Sequence, residues 1–164
     1  MTMQQVVRAE VALRPARAAD GPFLLALFAD VRGPLFAAMQ VPAAQRRVLL
    51  EQQCRAQAQD YRTRFPTSDH HVIEVRDRPV GRIWVDRRTT EIRLLDIALL
   101  GTARGAGVGA MLLRDLQEEA RASGRRLGHA VENGNLAAFR FYERLGFVTD
   151  GPLGHSHTLM VWQP

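Results

Sequence analysis

The chain contains no lysine: all 22 of its basic residues are arginine. A Walker phosphate loop needs Gly-Lys followed by Ser or Thr, so that class of nucleotide binding is excluded. The arginines are scattered, the net charge is a modest +5, and no dense basic run is interleaved with aromatics. This suits a GC-rich coding sequence or a polyanionic small ligand better than a nucleic-acid-binding surface. Cys54 is the only cysteine, so neither an internal disulfide nor a cysteine-based zinc site can form. It falls in a helical pattern with Ala58, Tyr61 and Phe65 and reads as buried filler, not as a nucleophile. His70-His71 and the pair His155/His157 lack the spacing and partners of a metal site, so no metal is expected. No apolar run approaches the ~20 residues of a membrane span. The N-terminal stretch lacks the apolar core of a signal peptide, which makes a cytoplasmic location the expectation. Repeats, low-complexity tracts and linkers are missing as well.

What is present fits one domain over residues 1–164, with 46% apolar and 24% charged residues. The chain is organised around residues 94–123. Leu94, Leu95, Ile97, Leu99 and Leu100 form an apolar run too short for a helix, and predict a buried strand. Val108, Leu112, Leu116 and Ala120, spaced four apart with charged residues opposite, predict an amphipathic helix that Gly124 stops. Between them lies Arg104-Gly105-Ala106-Gly107-Val108-Gly109. Glycines at alternate positions leave backbone amides uncovered where a helix begins, and such amides with the helix dipole behind them bind anions, phosphate above all. Gly-x-Gly turns also occur where a strand simply packs closely on a helix. The dinucleotide fingerprint is excluded, because it needs Gly-x-Gly-x-x-Gly.

Taken in order, residues 6–14 predict a first strand closed by Pro15. Asp20 and Pro22 open a helix with Phe23, Leu24, Leu27, Phe28 and Val31 on its apolar face, and Arg32-Gly33-Pro34 ends it. An apolar loop, residues 34–41, either packs on the core or lines a pocket. Pro42 opens a long helix to about Arg64. Residues 71–75 and 80–86 form a hairpin, residues 87–90 turn the chain, and residues 91–100 lead to the glycines. Beyond the central helix come a strand at 126–131, a capping turn at 132–135, and a helix at 136–145 stopped by Gly146. Two closing strands at 147–149 and 158–162 flank a turn at Gly151-Pro152. The order is β-α-α-β-β-β-α-β-α-β-β, an α/β (mixed α+β) sheet with helices covering it.

Two segments of the second half resemble the GNAT family of N-acetyltransferases. Residues 104–113, RGAGVGAMLL, correspond to that family's Q/R-x-x-G-x-G/A coenzyme A loop. Residues 135–147, NLAAFRFYERLGF, are similar to its N-x-x-A-x-x-F-Y-x-x-x-G-F helix. The resemblance extends over about residues 72–162; it departs at Gly101-Thr102, where many members carry a proline after the strand. It implies a GNAT-like acyl-CoA N-acyltransferase fold and acetyl-CoA as cosubstrate. The pyrophosphate would sit on the amides of Arg104, Gly105, Ala106, Gly107, Val108 and Gly109. The pantetheine arm would enter between strands splayed at a bulge and pair with backbone near Ala98 and Leu99. Asn135 would bind the same cosubstrate, or cap the last helix, or both.

The resemblance also implies that Tyr142 stabilises or protonates the departing thiolate, at a cost of roughly 10²–10⁴-fold in turnover if its hydroxyl is removed. The base that deprotonates the amine is Glu91, Asp96, Glu132, His129, or a water held by one of them. Asp96 leads because it interrupts an apolar run, where an unpaired carboxylate would cost several kcal/mol; it could equally be the structural partner of an arginine. The expected reaction is direct acetyl transfer to a primary amine of a small molecule or peptide. A different acyl-CoA donor and a non-catalytic acyl-CoA-binding module are the alternatives. Residues near the acceptor are expected to include Phe36, Met39, Arg46, Arg47, His155 and His157. Neither nucleic acid nor membrane is expected as a partner, and pairing of two copies through the C-terminal strands would suit the fold.

Overall fold

Arg76 and Asp77, with left-handed φ values of 52° and 59°, make a two-residue turn whose twist matches the strands it joins. That hairpin belongs to a computed structural model that describes residues 10–164. The elements run β1 (Val11–Pro15), α1 (Gly21–Ala37), α2 (Ala43–Arg64), β2 (Asp69–Val75), β3 (Arg78–Arg87), β4 (Glu91–Leu99) and α3 (Val108–Ser123). β5 (Arg126–Glu132), α4 (Leu136–Arg144), β6 (Val148–Leu153) and β7 (His157–Trp162) complete them. This is the order read from the sequence; residues 6–9 of the expected first strand lie outside the described residues. The strands form one sheet, β1-β2-β3-β4-β5-β7-β6, in which only β4 and β5 run parallel.

Three local expectations are corrected. Pro34 does not end α1: it sits inside the helix, which runs to Ala37. A proline removes one hydrogen bond, and Phe36, only 1% exposed, anchors the following turn in the core. The first half of the expected apolar loop, residues 34–37, is therefore helix. Asp20 holds the expected N-cap position of α1 but makes no side-chain cap bond; its carboxylate accepts instead from the Arg14 guanidinium at 2.8 Å and the Arg17 amide at 2.7 Å. Gly151-Pro152 is not the turn between the last strands. β6 passes through it as a bulge, with Gly151 at φ 109°, and the chain reverses after Leu153. A bulge tolerates proline because its missing amide is not needed in the ladder.

The main core lies between the sheet and the helices α3 and α4. Leu113, Ala120, Leu127 and Met160 are fully buried there, with Tyr142 and Phe147 closing one end. Each large aliphatic so buried contributes about 1.5–3 kcal/mol. Against the other face, α1 brings Leu27, Phe28 and Phe36.

β4 changes phase as it crosses the sheet. Trp84 faces Asp96 and Val85 faces Leu94, so Leu95 is an extra residue, a β-bulge. Before it, Ile92 and Leu94 point into the main core; after it, Ile97 and Leu99 do. The even-numbered Asp96 is thereby turned out of the apolar core that simple alternation would have given it.

Candidate active site

The parallel pairing of β4 and β5 ends at Leu94–His129. Beyond that point the strands separate, and a cavity of about 660 Å³ opens between them, roofed by α1, α2 and α4. Asp96, Ala98, His129, Asn135 and Tyr142 all line it.

His129 closes the apex. Its Nδ1 lies 2.8 Å from the Leu94 carbonyl oxygen, which can only accept, so Nδ1 carries the proton and Nε2 keeps a lone pair. Burial pushes the imidazole pKa down, against the opposing pull of that carbonyl, so the ring is neutral. Tyr142 packs on it at 4.7 Å between ring centroids and on Phe147 at 5.3 Å. The tyrosine is 3% exposed, and its hydroxyl has no hydrogen-bond partner among the described residues. Burial, and secondarily the Asp96 charge, push the phenol well above its ordinary pKa. It is a hydroxyl donor at any working pH. α4 holds this ring in place: Asn135 accepts from the Ala138 amide at 3.1 Å at the start of the helix. Gln117 of α3 donates to the Leu145 carbonyl at 2.7 Å just past its end.

Asp96 is bound by Arg82, whose Nε donates to Oδ2 at 2.6 Å. Arg82 Nη2 reaches Gln57 of α2, and Tyr61 of the same helix donates to the carbonyl of the bulged Leu95 at 3.2 Å. Asp96 Oδ1 has no partner among the described residues. Sequence reasoning missed Arg82, Gln57 and Tyr61. Their roles come from cross-strand and cross-layer proximity, which no local pattern encodes.

The other carboxylates divide. Glu132 lies at the cavity mouth, paired with Arg32 of α1 at 3.5 Å. Glu91 is corrected as a base candidate: it sits at the far end of β4, buried against Arg93 and Arg126. There Gly128 leaves room for it, since a Cβ on Gly128 would come within 2.4 Å of Glu91 Oε1. Of the residues expected near an acceptor, only His157 lines the cavity. Phe36 is core, and Met39, Arg46, Arg47 and His155 lie elsewhere.

The glycine loop meets the sheet end beside the cavity. Gly105 and Gly107 have φ of 78° and 84°, and a Cβ added at either meets nothing within 4 Å. Gly107 is the N-cap of α3, so the amides of Val108, Gly109 and Ala110 have no acceptor within the helix. An open cradle of free amides at a helix N-terminus fits a diphosphate, and the unpaired edges of the wedge fit an extended amide-bearing arm. The Arg104 side chain is turned back from the loop: Nε donates to the Leu99 carbonyl at 2.8 Å and Nη2 to Asp30 of α1 at 2.9 Å. Asp30 also accepts from the Gly101 amide at 2.9 Å.

Two half-buried imidazoles give the fold a pH signature. His70, stacked on Trp84 at 4.0 Å, is lowered to about 4, first by burial and then by Arg82 and Arg62, and His129 is lowered as well. Between the lowered folded-state value of each ring and the ordinary one of about 6.5, the unfolded chain binds protons that the folded one refuses. Stability is therefore complete above about pH 6.5 and falls as the pH drops below it. Urea midpoints should be lower at pH 5.5 than at pH 7.5; equal midpoints would contradict neutral rings.

Compared with known proteins, the chain matches the model of the acetyltransferase (GNAT) family over residues 37–147. It belongs to that family. It is thus an acetyltransferase, with acetyl-CoA as the cosubstrate that acylates amines. Solved structures agree in fold. An acetyltransferase from Thermus thermophilus superimposes with a TM-score of 0.69 at 20% identity, covering 94% of this chain and 97% of the other. PaiA N-acetyltransferase from Thermoplasma acidophilum, in complex with coenzyme A, gives 0.68 at 14% identity, over 94% and 99%. Naa50 from Arabidopsis thaliana, in complex with the bisubstrate analogue CoA-Ac-MVNAL, gives 0.62 at 15% identity, over 94% and 99%. No curated protein matches in sequence. Among the described residues no helix is long and apolar enough to cross a membrane.

Proposed function

We propose that the wedge between β4 and β5 is where a primary amine of a small molecule or peptide takes an acetyl group directly, without a covalent enzyme intermediate. The observation that carries this reading is the end of β4–β5 pairing at Leu94–His129, which opens a cavity onto the unpartnered Tyr142 hydroxyl. When bound, acetyl-CoA supplies an activated thioester. The amides of Gly105, Ala106, Gly107, Val108 and Gly109 hold its pyrophosphate, while Arg104 braces the loop against Leu99 and Asp30. Backbone near Ala98 and Leu99, with Asn135, aligns the arm.

The amine arrives protonated. Asp96 takes its proton, directly or through water, with Arg82 fixing the carboxylate. The C–N bond forms as the C–S bond breaks, the nitrogen releases its second proton to solvent, and the Tyr142 hydroxyl donates a hydrogen bond to the departing sulfur. A thiol ionises near ~8.5. Tyr142, held above its own ordinary value, keeps its proton and so presents a hydroxyl donor to the departing sulfur. Its role is stabilisation, and the thiolate is protonated from Asp96 or solvent.

Calorimetric titration with acetyl-CoA tests the cosubstrate half. Wild-type protein should bind at micromolar concentration. Gly107→Val forces a β-branched residue into φ 84°, a strain of roughly 1–2 kcal/mol, and crowds the cradle. Affinity should fall by about tenfold or more. No binding by the wild type would sink the proposal.

A further inference from the structure

Arg82 has more donors than its protein partners use. It is 4% exposed, with Nε on Asp96 and Nη2 on Gln57, while Nη1 has no partner among the described residues. Nor is Nη1 sealed in. Among the described residues the buried, unpartnered side-chain polar atoms are Arg46 Nε and His70 Nε2, and Arg82 lines the cavity. A permanently charged guanidinium, clamped on two sides and open on a third, is a prepared site for an anion.

The surroundings restrict the ligand further. Asp96 and Arg82 pair at 2.6 Å, and Arg32 and Glu132 pair at 3.5 Å, so the charges at the cavity cancel. A ligand that brings one positive and one negative group side by side matches an adjacent carboxylate and guanidinium. Leu27, Phe28, Val31 and Leu35 of α1 supply an apolar wall beside them. The geometry points to a free α-amino acid with an apolar side chain as the acceptor, its amine on Asp96 and its carboxylate on Arg82 Nη1. A peptide N-terminus offers a neutral carbonyl where this site presents a full charge, and a polyamine adds positive charge where Arg82 already stands. This rests on the transferase reading above.

The test measures acetyl-CoA-dependent thiol release with L-leucine, L-phenylalanine and L-methionine, with their amides, and with dipeptides that begin with them. The free acids should be turned over with kcat/KM about 100-fold above the matching amides and dipeptides, because the latter bring an ammonium with no carboxylate to balance it and leave Arg82 Nη1 without an anionic acceptor. Arg82→Gln should bring that ratio toward one, mainly by raising KM for the free acid, and Arg82→Lys should restore part of it. The wild-type ratio decides the matter even if the Arg82 variants fold poorly. Amides or dipeptides used as well as the acids would overturn the inference, as would acetyl-CoA binding without turnover of any free acid; either leaves the transferase reading standing. Absence of both acetyl-CoA binding and thiol release from every amine would sink the two together.

Discussion

Tyr142→Phe should lower turnover by about 10²–10³-fold, the loss typical of removing one donor aimed at a developing anion. Affinity for acetyl-CoA should change little. The unfolding midpoint should hold as well, because the hydroxyl has no protein partner to lose and the ring keeps its packing on His129 and Phe147. Thiol release under saturating acetyl-CoA, beside a thermal melt, separates these outcomes. A variant with wild-type turnover would remove Tyr142 from the chemistry. One that lost stability in proportion to activity would make it a core residue and nothing more.

Gly81→Ala should damage the same site from behind. Gly81 lies on β3 opposite Leu99, and a Cβ there would stand 2.3 Å from the Ala98 carbonyl oxygen and 2.7 Å from Leu99 Cδ2. The nearest obstacle is backbone, so β4 itself must move. Overpacking of this kind costs about 1–3 kcal/mol, and each kcal/mol lowers the melting temperature of a chain this size by about 2–4 °C. The displaced segment is the one proposed to align the thioester, and a shift of about 1 Å there can cost 10²-fold in kcat/KM. Gly33→Ala is the control: it lies within α1 and its new methyl meets nothing within 4 Å. Equal melting temperatures and equal kcat/KM for Gly81→Ala and wild type would refute the close approach.

The features legible in the amino-acid sequence are those decided within a few residues. The glycines at 105, 107 and 109 and the cap at Asn135 act through local backbone geometry, and the central helix and α4 lie within a residue or two of where their periodicity puts them. The order of elements along the chain followed from turn chemistry and length, whereas the placing of β7 between β5 and β6 did not. The departures at Pro34 and Gly151-Pro152 share one cause: residues that usually break an element were overruled by burial of Phe36 in one case and by a bulge in the other. Gly81 did carry a signal, since glycine inside a strand marks a close approach of backbone. Arg82 carried none. It sits in an ordinary strand, and only Asp96 from the next strand and Gln57 from a helix a layer away reveal what it does.

The extra residue at Leu95 makes the length of β4 as consequential as its composition. Straighten the strand with Leu95 kept in the ladder and its later half changes sides, the Asp96 carboxylate turning toward the packed leucines beneath α3 and Ile97 and Leu99 toward the cavity. Delete Leu95 and the sides are kept, but the bulge and the carbonyl that accepts from Tyr61 are lost. Between Leu94 and Asp96 it is the bulge that is under constraint, because a residue there that enters the ladder turns the carboxylate inward.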